Sequence, residues 1–252
     1  MTTSFNPQRR SLLCAAAATV AIAGTANAAG AAVAAGANPP LDKNIMPHND
    51  AFDSQTSPKP LAFNAARLDG ISERLILSHW ENNYSGAVKA LNVVKKQLAV
   101  MLANKDTPPF IYNDLKREHL MRTGSVVFHE NYFDNLGGNG QAGAAERKAI
   151  SEAFNGFDSW ESEFRRIGVG LGGGSGWVVL GFNTHTRQME NYWLGDHAHG
   201  PAATLPLLVM DMYEHAYQMD YGAAAAKYID AFFKNIQWET VASRIETAMR
   251  LT

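Results

Sequence analysis

Cysteine is nearly missing from this chain: Cys14 is the only one in 252 residues, and it lies in an N-terminal leader. The body therefore has no disulfide, no thiolate metal ligand and no cysteine nucleophile. Its stability must come from an apolar core, with a bound metal as the other available source. An excess of charge is missing too, with 22 Lys and Arg against 24 Asp and Glu. Such a balance leaves no basic surface of the kind nucleic acids require, and no such partner is expected. The most apolar stretch, Leu12 to Gly24, is too short to span a bilayer.

That stretch has the flanks of an export signal. Arg9 and Arg10 form a basic pair before it, and Ala26-Asn27-Ala28 after it has the small residues of a cleavage site. Residues 1–28 read as a signal, with the arginine pair pointing to the twin-arginine route. The processed protein is then expected in the periplasm or secreted, with no membrane association. Residues 29–59 read as a tail rich in Ala, Gly and Pro. They leave a body on the order of 190 residues, enough for one or two small domains.

Within the body, apolar residues recur at helical spacing from Ser72 to about Leu102, which predicts one long helix or a broken pair. Asp106-Thr107-Pro108-Pro109 marks a stop, and a second helix is predicted from about Leu115 to Leu136. Shorter helices are predicted over Ala144 to Phe154 and Ser159 to Ile167. The period then changes: Trp177 to Phe182, Gln188 to Leu194 and Leu205 to Met212 read as strands. Helical segments follow over about Ala223 to Asn235 and Trp238 to Leu251. Helices, then strands, then helices indicate an α+β fold, with a helical N-terminal domain at 60–143 and an α/β C-terminal domain at 144–252.

Three histidines and one aspartate stand out as candidate ligands. His79 lies in the first helix, His129 in the second, and Asp211 and His215 near the end of the last strand. Three imidazoles and a carboxylate suit a first-row metal, whereas soft metals would call for thiolates. Spacing alone leaves the set open, since a lone histidine is more often a hydrogen-bonded core or surface residue.

The local motifs are more specific. The run from Pro206 to Tyr217 contains Asp211-Met212-Tyr213-Glu214-His215-Ala216-Tyr217 and resembles the signature of the iron/manganese superoxide dismutase family. Leu77-Ser78-His79-Trp80, Val126-Val127-Phe128-His129, Gly174-Ser175-Gly176-Trp177 and Asn235-Ile236-Gln237-Trp238-Glu239 match in the family's order. The resemblance covers nearly all of the chain from Pro60 onward. It implies a helical N-terminal domain, a C-terminal domain with a three-stranded antiparallel sheet, and one iron or manganese per subunit held by His79, His129, Asp211 and His215. Superoxide would be the substrate. A homodimer is implied as well, with Glu214 reaching the other subunit's ligand His215.

Outside the ligands the chain departs from the family's pattern. The positions four and eight residues after the first ligand, usually a histidine and a gating tyrosine, are Asn83 and Ala87. Both fall on the same helix face as His79. The neighbouring Tyr84 is the candidate to reach the site instead. The tyrosine that usually pairs with the histidine across the dimer is replaced by Gln218, so Asn83 and Gln218 become an amide pair. Ser125 stands where an outer glutamine is common in iron enzymes. His197 is the candidate for the other outer position, with His199 as the alternative. An ordinary histidine there, with a pKa of about 6.5, would make turnover fall as pH rises through neutrality. Trp177 and Tyr132 are kept, while Val179, Phe133 and Tyr213 replace common tryptophans. Tyr221 to Ala226 lacks the usual arginines, which weakens the attraction of an anion through that segment.

Three functions fit this pattern. The first is exported superoxide dismutation at reduced activity. The second is metal redox chemistry on a different small molecule, and the third is metal binding or protein interaction without dismutase activity.

Overall fold

A computed structural model describes residues 50–250, so the export signal and most of the expected tail lie outside the described residues. The first long helical stretch is a broken one. Ser72 starts it by accepting a hydrogen bond from the backbone N–H of Leu75 on its side-chain oxygen. Helix α2 (Glu73–Ser78) then passes through a π-helical turn at His79–Tyr84 into α3 (Ser85–Ala103). In that turn the N–H of Ser85 reaches the carbonyl of Trp80, five residues back.

Helix α4 (Pro109–Asp134) starts six residues before the predicted Leu115. The prolines that read as a stop also serve as a start: Pro109 occupies the first helical turn, where a missing N–H costs nothing. Helices α5 (Ala144–Phe154) and α6 (Phe157–Leu171) follow, the second longer than predicted at both ends. Asn155 in the left-handed region at φ 56° makes the corner between them.

Strands β1 (Trp177–Asn183), β2 (Gln188–Leu194) and β3 (Thr204–Asp211) form one antiparallel sheet in the order β2-β1-β3. Central β1 is buried from Trp177 to Phe182, and edge strand β3 accommodates Pro206 opposite a bulge at Leu180/Gly181. The register sets Trp177 beside Asp211. After a single turn, α7 (Gln218–Tyr221), helices α8 (Ala225–Lys234) and α9 (Trp238–Arg250) close the fold against α6 and β3. Among the described residues, no helix is long and apolar enough to cross a membrane.

The start of the body lies earlier than Pro60. A single turn, α1 (Asp50–Asp53), buries Phe52 against Val94, Leu98 and Ala99. Thr56 and Asn92 then exchange two hydrogen bonds, N–H to Oδ1 at 2.9 Å and Nδ2 to carbonyl at 2.8 Å. This part of the expected tail is packed because it carries an aromatic residue.

One buried amide locks α4 to the sheet. Asn135, with no exposed surface, accepts from the N–H of Val209 at 3.0 Å and donates to the Val209 carbonyl at 3.2 Å. It thus acts as an added strand residue on the free edge of β3 and fixes His129, near the end of α4, relative to Asp211. Asn135→Ala strips both Val209 groups of their partners. The variant is expected to lose roughly 2–4 kcal/mol of stability, measured by chemical denaturation, since each buried unpaired group costs about 1–3 kcal/mol.

Candidate metal centre

Four elements converge on one buried point. His79 opens the π turn, His129 lies in α4 one turn before its end, and Asp211 ends β3. A 3-10 turn at Glu214–Ala216 carries His215. One donor atom from each residue falls within 4.8 Å of all the others. The carboxylate oxygen Oδ2 of Asp211 lies 3.1 Å from His79 Nε2, 3.2 Å from His215 Nε2 and 3.6 Å from His129 Nε2.

The surroundings aim two of the donors, on His129 and Asp211, inward. His129 Nδ1–H donates to the Ser125 carbonyl at 2.7 Å, which leaves the Nε2 lone pair for the centre. Asp211 accepts the N–H of Tyr213 on Oδ1 at 2.8 Å, so Oδ2 alone faces the imidazoles. Its backbone carbonyl accepts from the Tyr228 hydroxyl at 2.8 Å, and the Tyr132 hydroxyl lies 3.2 Å from that of Tyr228.

Charge states follow from burial. Desolvation drives the pKa of His129 down to about 3 and also lowers that of His79. Desolvation would raise Asp211, but His215 and His79 beside it hold the carboxyl well below its usual range. The centre therefore holds an ionised carboxylate beside two neutral imidazoles, His79 and His129. The buried Nε2 atoms of His79 and His129 have no hydrogen-bond partner among the described residues. Orphaned lone pairs around a carboxylate are what a borderline first-row cation would satisfy, so iron or manganese fits.

A funnel of about 330 Å³ leads to the centre. Asn83 and Ala87 line it from the π turn and α3, Ser125 and Arg122 from α4, and His197 from the loop after β2. Tyr84 takes no part in the lining. Its ring is buried 6.3 Å from that of His129, and its hydroxyl accepts from the N–H of Lys59 at 2.8 Å and donates to Glu130 at 3.0 Å. The π turn carries this side chain past the site toward the N-terminal segment, so Tyr84 does not replace the missing gate.

His197, rather than His199, stands at the outer position. Trp177, fully buried, meets the His129 ring edge-on at 5.1 Å and donates its indole N–H to His197 Nδ1 at 3.0 Å. The proton of a neutral His197 is thereby placed on Nε2. The ring stacks on Tyr213 at 4.5 Å, and burial, more than the positive charge of Arg122, lowers its pKa. His197 is therefore held below the ordinary imidazole pKa on which the expected decline through neutrality rested. His199 pairs instead with Asp196 at the surface, at 2.8 Å.

Sequence reasoning passed over two residues of α4. A Cβ on Gly124 would come within 1.8 Å of the His197 carbonyl, so only glycine lets the loop approach this closely. Arg122, two residues earlier, is the Lys or Arg of the funnel lining. Both share a helix face with His129 or its neighbours, a pattern visible only once the helix is drawn. Asn83 is half-buried in the funnel, while Glu214 and Gln218 are exposed.

Comparison with known proteins bears on this geometry. Residues 142–244 match the C-terminal domain of iron/manganese superoxide dismutases. A "Superoxide dismutase [Fe]" of Cupriavidus metallidurans is 48% identical over 192 residues, covering 76% of this chain and 97% of that protein. This chain belongs to the iron/manganese superoxide dismutase family. A "Superoxide dismutase [Fe]" of Aquifex aeolicus is 35% identical over 73% of this chain and 88% of its own length. A "Superoxide dismutase [Mn] 1" of Haloferax volcanii is 29% identical over 79% and 98%. Iron- and manganese-named members are thus both among its relatives, and the family's α+β fold, with its three-stranded sheet, is the one described above.

Neutral buried histidines tie stability to pH. The unfolded chain takes up protons on His79 and His129 near pH 6.5, whereas the folded protein resists them. Metal-free protein is expected to keep its full stability above about pH 6.5 and to lose it progressively as the pH falls toward about 3. Asp211, also depressed, adds to the loss at the acid end. Denaturation midpoints of metal-free protein test this. An unchanged midpoint between about pH 7 and about pH 4.5, where most carboxylates stay ionised, would contradict it.

Proposed function

We propose that this protein dismutates superoxide at the centre formed by His79, His129, Asp211 and His215, as an exported enzyme of reduced activity. The observation that carries the reading is the set of four converging donors, two with orphaned Nε2 atoms, at the base of a polar funnel. Iron or manganese, when bound, supplies the one-electron couple by which two superoxide anions and two protons become oxygen and hydrogen peroxide.

The chain's own residues do the rest. Asp211 offers one anionic oxygen, and Ser125 fixes the tautomer of His129. Trp177 orients His197 so that its Nε2–H is available to an anion in the funnel. No tyrosine among the described residues lines that funnel, and Ala87 leaves it open where a phenol would narrow it. Protons must then come from water or through His197, which supports slower turnover. The open funnel also favours the second reading, reaction with a different small molecule.

We further propose a homodimer joined by reciprocal Glu214–His215 pairing, with Asn83 and Gln218 as an amide pair beside it. Support comes from the exposure of Glu214 and Gln218 next to the ligand turn.

The deciding experiment combines metal analysis of the processed protein with superoxide decay. About one iron or manganese per subunit and catalysed decay are expected. Full metal without decay would favour the different-substrate reading or the non-enzymatic one. In the same assay Ala87→Tyr with Asn83→His should raise the rate roughly tenfold, less than a fully positioned proton donor supplies. Export rests on the leader: Arg9→Lys with Arg10→Lys is expected to trap folded, metal-loaded protein in the cytoplasm. Normal export of that variant would indicate the general secretory route instead.

A further inference from the structure

Arg122 is the one Lys or Arg among the described residues that line the funnel. It lies seven residues before His129 on α4, about 10 Å up the helix axis and on nearly the same face. Ser125 sits between them on that face. The guanidinium is held by a single contact, Nε–H to Glu118 Oε1 at 2.6 Å, one turn back along the helix. Side-on pairing through Nε leaves both terminal nitrogens without a hydrogen bond among the described residues.

As a stabilising pair this contact is worth little. The two side chains are 39% and 43% exposed, and such a helical pair contributes about 0.3–0.5 kcal/mol. A fork-to-fork pair would have used the terminal nitrogens and neutralised the group more fully. The chain as a whole carries a net charge of -2, so any attraction for an anion must be local. A positive group at the mouth of a low-dielectric cleft concentrates field lines along it.

We propose that Arg122 draws small monoanions down this funnel toward the metal centre, and that Glu118 holds it at the mouth while partly offsetting its charge. The identity of the natural anion as superoxide rests on the dismutase reading; the electrostatic role does not. Arg122 is a steering residue, not one that touches the reacting atoms.

The test uses metal-loaded protein and two readouts: azide affinity, followed by the visible absorption of the metal, and the second-order rate of superoxide decay. Both are measured at low and high ionic strength. Arg122→Gln is expected to weaken azide binding and slow decay by roughly 3- to 10-fold at low salt, and to flatten the salt dependence of both. Arg122→Lys should recover most of the loss. Glu118→Gln, which removes the offsetting charge, should move both readouts the other way by about twofold. A merely structural pair would give Arg122→Gln and Glu118→Gln the same sign.

Azide affinity and salt dependence unchanged in a fully metallated Arg122→Gln protein would overturn the inference. So would the absence of azide binding to the wild-type protein. If azide affinity follows the charge at residue 122 but superoxide is not consumed, the steering role stands and the dismutase reading falls. If superoxide is consumed and neither readout responds, the reverse holds.

Discussion

A buried carboxylate among three imidazoles is the constraint on which this fold turns. Asp211 is fully buried, and an ionised carboxylate removed from water costs several kcal/mol unless something positive or hydrogen-bonding meets it. The imidazoles give only part of that compensation. The remainder falls to a cation, and the surrounding structure is organised to keep the four donors where a cation can use them. The sheet register sets Trp177 beside Asp211, Tyr228 holds the Asp211 carbonyl, and Asn135 fixes the helix that carries His129. None of these contacts touches the centre of the site, yet each limits how far a donor can drift.

Much of this was legible in the chain itself, and the rest was not for identifiable reasons. The strands end within a residue or two of the predicted limits because a change of period and turn residues mark them. The four ligands could be named because each sits inside its own local motif. The start of α4 was misplaced because Pro108-Pro109 is compatible with both an end and a beginning. Tyr84 was misdirected because a π turn is not visible in residue spacing, and spacing was the basis for aiming the side chain. Phe52 looked like part of the Ala-, Gly- and Pro-rich tail because its partners, Val94 and Leu98, lie about forty residues away. Gly124 and Arg122 sit in a helix with ordinary-looking neighbours. Their importance lies in which loop and which cavity they face, and a linear pattern does not contain that.

The inner and outer parts of the site obey different rules. The donors are constrained by coordination chemistry and can hardly change type without losing the metal. The funnel has only to admit a small anion and supply protons, which amides, a histidine of fixed tautomer and an arginine can do in several ways. That difference accounts for a chain whose ligand motifs are readily recognised while Asn83, Ala87 and Gln218 depart from the family's habit.

The π turn at His79–Tyr84 also has a bearing on how such a helix can change over evolutionary time. One surplus residue is accommodated there without disturbing the ladders on either side, so the two flanking segments keep independent angular phases. Before the turn, Leu75, Ile76 and His79 face inward; after it, Ala87, Val88 and Leu91 do. A plain α-helix fixes all of these at about 100° per residue from a single origin. Loss of a residue from the turn would therefore leave two sound helices with their faces rotated against each other, and the imidazole would be the group carried off target. The turn works as a phase adjuster, letting the core pattern and the ligand position vary separately along one continuous rod.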